Sequence, residues 1–105
     1  MFSEETERLV TDAVVAEVQN ARKYGEKYNS NHEGYSVLLE EVDEVNDALR
    51  YLEEHKKALW QMVKSDCDSG VQIELTHILS CAIDVAKEAI QVAAVAYKFK
   101  GAENE

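Results

Sequence analysis

From Tyr35 to Ser65 the chain carries neither proline nor glycine. Strands and hairpins need turn residues at short intervals, so so long a stretch without a breaker reads as a single helix. The rest of the sequence agrees, with no proline and four glycines in 105 residues. Ala, Leu, Glu and Lys, which cost little in a helix, are common. The expected fold is all-α, one domain over residues 1–105 with three main helices. The first runs from Ser3, an N-cap followed by acids, to about Tyr24. Its apolar residues Leu9, Val10, Ala13, Val14, Val18 and Ala21 keep the 3.6 period. The second runs from near Gly34 to Lys64 and the third from about Val71 to Lys100. Turns are expected at Tyr28–Gly34 and at Ser65–Gly70, both rich in turn-forming residues.

Helices of about 30 residues are about 45 Å long. Three such helices leave an apolar face open, since a bundle core closes most readily with four. Leu75, Ile78, Leu79, Ala82, Ile83, Val85, Ala86, Ile90 and Val92 make the third helix apolar around most of its circumference. The expectation is a long-helix bundle whose four-helix-type core is completed by oligomerisation, as a homodimer or homotetramer.

Charge narrows the partners. Twenty-one acids against eleven bases give a net charge of −10, which argues against a nucleic-acid polymer, because binding one needs clustered Lys and Arg. The longest apolar run, Val92–Tyr97, is six residues, far short of a membrane span. Met1-Phe2-Ser3 leads directly into Glu4-Glu5 without a secretory leader, and Cys67 and Cys81 show no metal-ligand or disulfide pattern. A cytoplasmic protein with reduced thiols is expected.

The acids are unevenly placed. In the run LLEEVDEV, Leu38–Val45, the residues Leu38, Val42 and Val45 share a stripe with Leu49 and Leu52, which is the expected core seam. At about 100° per residue, Glu41 lies about 70° from the centre of that stripe and Glu44 about 130°, on one side. Glu40 and Asp43 point farther round. Glu41 and Glu44, at i and i+3, are therefore helix neighbours on the border of the core. On the third helix His77, Cys81, Asp84, Glu88 and Gln91 form a polar stripe on an otherwise apolar cylinder. These acids are either solvated, as helix-surface acids commonly are, or face one another across a cation. Hard oxygen ligands on facing helices suit Mg²⁺, which usually shares its shell with substrate phosphates.

The segment Asn29–Glu44, NSNHEGYSVLLEEVDE, resembles the MazG-like group of all-α nucleoside triphosphate pyrophosphohydrolases, closest to a branch carried by phages and prophages. In that superfamily an E-E-x-x-E helix and a later E-x-x-D helix together hold Mg²⁺. Glu40, Glu41 and Glu44 match the first motif; Glu88-Ala89-Ile90-Gln91, followed by the apolar run to Ala96, resembles the second. The similarity covers about residues 15–45 and 78–99. It implies a Mg²⁺-dependent enzyme that cleaves a (d)NTP between its α- and β-phosphates, giving (d)NMP and pyrophosphate. Glu41, Glu44 and Glu88 would then hold the metal, Glu40 would orient or activate water, and Lys98 would meet a phosphate.

Two departures qualify that implication. Gln91 stands where the family has an aspartate, and Asp84, one turn before Glu88, is a candidate for the missing charge at the metal. With a turn at Gly70, Glu44 lies 26 residues before it and Glu88 18 after it, a mismatch of about 12 Å along the helices. A longer turn, a break near Glu53-Glu54-His55, or motifs meeting between protomers would each absorb it. The rival expectations are a non-catalytic nucleotide- or metal-binding module, favoured by Gln91, and a plain helical oligomerisation protein.

Overall fold

The computed structural model describes residues 1–101, and among them the secondary structure is three α-helices without a strand. They are α1 (Glu4–Arg22), α2 (Asn31–Lys64) and α3 (Asp68–Lys100). Ser3 caps α1, its Oγ accepting the Thr6 N–H at 3.1 Å, and Glu4, Glu5 and Glu7 sit where the helix dipole favours negative charge. Gly25, at φ 128°, turns the chain away after α1.

Both long helices begin three residues earlier than the glycines suggested. Ser30 accepts the Glu33 N–H at 3.1 Å while the Glu33 carboxylate reaches back to the Asn29 N–H at 2.8 Å, a variant of the capping box that starts α2 at Asn31. The turn after α2 is a Schellman motif. Cys67 N–H donates to Met62 O at 3.0 Å and Asp66 N–H to Val63 O at 3.1 Å, with Asp66 left-handed at φ 54°. Aspartate tolerates that conformation better than most residues, so no glycine is needed and α3 starts at Asp68. Gly34 and Gly70 thus lie inside helices, where their missing side chains admit a neighbour. A Cβ on Gly34 would stand 2.6–2.8 Å from the Phe99 ring, and one on Gly70 would strike the Met62 sulfur.

Tertiary contacts divide the described chain into two compact units, residues 43–88 and residues 1–42 with 89–101. Residues 43–88 form a helical hairpin with Asp66 at its turn. Its contacts pair residues equally far from Asp66: Met62 with Gly70, four residues either side, and His55 with His77, eleven either side. The two imidazoles stack with centroids 4.5 Å apart, and His55 Nδ1 lies 2.7 Å from Glu74 Oε1. Helix α2 is unbroken through Glu53-Glu54-His55. The half-buried side of α2 follows Glu41, Val45, Ala48, Leu52, His55 and Leu59, while Val42 and Leu49 are exposed. The inner face is therefore rotated by roughly 60° from the expected seam, towards Glu41.

The other unit holds α1, the start of α2 and the end of α3. Its buried apolar residues are Val18, Ala94 and Val95. Gly34 lets α2 close on Phe99, and Tyr28 meets the edge of that ring with centroids 6.0 Å apart. Lys98 is buried; its Nζ donates to Ala21 O at 3.3 Å, near the C-terminus of α1, and lies 4.4 Å from the Tyr28 ring centre. A cation there answers both the helix dipole and the aromatic face. No described helix is long and apolar enough to cross a membrane.

Candidate functional site

The hairpin register brings the two acidic motifs together. Glu44 and Glu88 each lie 22 residues from Asp66, so the 12 Å mismatch vanishes once the turn is centred there instead of at Gly70. The pairing occurs within one chain. Their carboxylates share a hydrogen bond, and this contact, followed by loss of solvent and by the charges of Glu44 and Asp84, holds the Glu88 carboxyl above its ordinary value of 4.5. The ionised forms have acceptors alone, so such a bond forms when one of the two is protonated. Ligand oxygens of Glu44 and Glu88 lie within 4.8 Å of each other, and Glu41 precedes Glu44 by one turn along α2. Such a set of hard oxygens fits a divalent cation such as Mg²⁺, whose charge would offset the repulsion between them.

The remaining expected site residues differ in their surroundings. Glu40 is exposed on α2, about 100° round the helix from Glu41. Asp84 is exposed one turn before Glu88 and acts on it through charge. Gln91 is engaged elsewhere: its Nε2 donates to Glu17 Oε1 on α1 at 2.6 Å. Lys98 is held against α1, as described above.

Glu17 and Gln91 belong to the wall of a cavity of about 310 Å³ in the unit containing α1. Asn20 and Tyr24 of α1, Tyr28, Glu41 and Lys98 also line it. Burial, and then the charges of Glu33 and Glu41, raise the pKa of the Tyr28 hydroxyl, keeping it a neutral donor. Glu17 was not singled out from the sequence, although it carries a signal. It stands four residues from both Ala13 and Ala21, in the middle of the apolar stripe of α1. An acid at such a position needs a partner, and Gln91 is that partner.

No family model, curated protein or solved structure matches the chain.

Proposed function

We propose that this chain is a MazG-like nucleotide pyrophosphohydrolase that uses Mg²⁺ to cleave a (d)NTP into (d)NMP and pyrophosphate. The observation that carries the reading is the Glu44–Glu88 contact, acid against acid, with Glu41 one turn away. A bound Mg²⁺ would supply neutralisation of the phosphates and a more acidic water. Glu41, Glu44 and Glu88 would hold it, with Asp84 adding negative charge nearby. Glu40 would orient the attacking water and take its proton, a role that demands proximity more than an unusual pKa. Water adds at the α-phosphorus and the bond to the β-phosphate oxygen breaks, so pyrophosphate leaves.

The engagement of Gln91 by Glu17 favours one rival, a module that binds nucleotide and metal without turnover. Pyrophosphate release from a panel of NTPs and dNTPs with Mg²⁺ decides between them, and its absence for every nucleotide sinks the hydrolase. Thermal stabilisation by Mg²⁺ that is lost in Glu41→Gln would still identify a metal site, since a ligand of the folded state alone raises its stability.

Self-association belongs to the same reading. Leu75, Leu79 and Ile83, at i, i+4 and i+8 of α3, are 42%, 64% and 50% exposed in the single chain, as apolar residues awaiting a second copy would be. Sedimentation equilibrium should give a dimer or tetramer; a monomer at micromolar concentration removes this part of the proposal.

A further inference from the structure

We infer that the cavity beside α1 reads guanine, with Glu17 and Gln91 as the residues that choose the base. The inference deepens the nucleotide reading above and rests on it for the presence of a base, though not for turnover. The Glu17 carboxylate offers acceptors alone, so the Gln91 amide must turn its NH₂ group towards it, as the 2.6 Å Nε2–Oε1 contact shows. One Nε2 hydrogen is used there and the second remains to be donated. Oε1 keeps a lone pair after accepting from Gln91 and Oε2 keeps both of its own, so both oxygens can still accept from a ligand. The pair therefore displays acceptor, acceptor and donor in sequence. Guanine presents the complement along one edge: the N2 amine and N1–H as donors, and O6 as acceptor. Adenine, cytosine and thymine each lack one or more of these groups in that order. Three hydrogen bonds are available to guanine and at most two to the others.

The surroundings suit a base. A volume of about 310 Å³ lies within the range of small-molecule sites. Tyr24 brings an exposed aromatic ring to the wall, and Val37 and Val95 supply apolar surface for the faces of a purine. Glu41 lines the same cavity, so a base seated there has its phosphates near a proposed metal ligand. The role of Glu17 in this reading is recognition of the base. The reading also gives a reason for Gln91. An aspartate at that position would repel Glu17, whereas the amide fixes it and adds a donor.

The test is calorimetric titration of the wild-type protein with dGMP, dIMP, dAMP, dCMP and dTMP, with EDTA and again with Mg²⁺. dIMP is dGMP without the N2 amine. Losing one hydrogen bond to a charged acceptor should weaken dIMP by roughly tenfold or more, with the other three weaker than dGMP as well. Glu17→Gln should bind dGMP and dIMP alike. Equal wild-type affinities for dGMP and dIMP, or measurable binding of neither, overturns the inference without requiring any variant to fold. Guanine preference without pyrophosphate release leaves the pocket in place and removes the hydrolase. Hydrolysis indifferent to the base does the reverse.

Discussion

Glu44 and His55 are eleven residues apart on α2, just over three full turns, and so look out from nearly the same side of the helix. Each faces the α3 residue equally far from Asp66. Near the turn that register stacks His55 on His77 and gives Glu74 an imidazole to bond. Eleven residues farther from the turn it sets Glu44 against Glu88, with Asp84 adding a third negative charge. The geometry is the same and the chemistry is opposite. The acidic contact is thus not forced by a poor register, because the same register satisfies its polar groups elsewhere. A local conflict inside an otherwise consistent hairpin is where a function is expected to reside.

The sharpest way to break this comparison is to relieve the conflict. Glu88→Gln replaces one of the two facing carboxyl groups by a neutral amide of the same shape. The melting temperature in EDTA should rise, and stabilisation by Mg²⁺ should disappear. Pyrophosphate release should fall by about 10²-fold or more, the scale on which one preorganised electrostatic group is missed. A variant that loses stability in EDTA and keeps turnover would reduce the Glu44–Glu88 contact to ordinary packing.

The close approaches of the helices come next. Gly34→Ala places a methyl against a Phe99 ring that is itself packed on Tyr28, so overpacking should cost about 1–3 kcal/mol. Gly70→Ala meets the flexible thioether of Met62, which can swing aside. There the gain in helix propensity offsets the strain, and stability should stay within about 1 kcal/mol of wild type. Urea denaturation measures both. Equal losses would mean that the two glycines serve the same purpose.

Those two glycines show where the sequence is legible and where it is not. The number of helices and the end of α2 follow from the absence of breakers, and both acidic motifs fall on the helices expected for them. The helix starts do not follow, because glycine marks a turn and a tight helix contact equally well. The left-handed position was filled by Asp66 instead. The 60° rotation of the inner face of α2 was hidden for a related reason. Val42 and Leu49 are as apolar as Val45 and Leu52, and periodicity alone cannot tell which apolar side meets its own chain. In the sequence Gln91 is a member of a polar stripe and a missing acid; its contact with Glu17 spans 74 residues, beyond the reach of local spacing. Lys98 enters from the sequence only as a residue that would meet a phosphate, and its bond to Ala21 O on α1 is not readable from spacing.

The satisfied end of the hairpin supplies a smaller effect. Glu74→Ala deletes the partner of a half-buried His55 and should destabilise the protein by about 1 kcal/mol, whether or not Mg²⁺ is present. Dependence on Mg²⁺ would join this cluster to the acidic one and erase the contrast between them.

The smallest effect belongs to Asp84. It is exposed, and its charge reaches Glu88 from one turn away. One unit charge about 6 Å from a doubly charged ion in a water-like medium is worth about 1.4 kcal/mol, which salt at physiological strength roughly halves, so Asp84→Asn should weaken Mg²⁺ by about threefold. An unchanged affinity removes Asp84 from the site. The same charge helps hold the Glu88 carboxyl above 4.5, which fixes the sign of the pH dependence. Above that value the folded protein still binds a proton that the unfolded chain has released. In EDTA, stability from this group is therefore full below pH 4.5 and declines as pH rises through the folded value. Mg²⁺ should counter the decline by taking the place of the proton, and its apparent affinity should strengthen over the same interval. Asp84→Asn should shift that interval slightly towards lower pH, since one of the charges that holds the proton is gone.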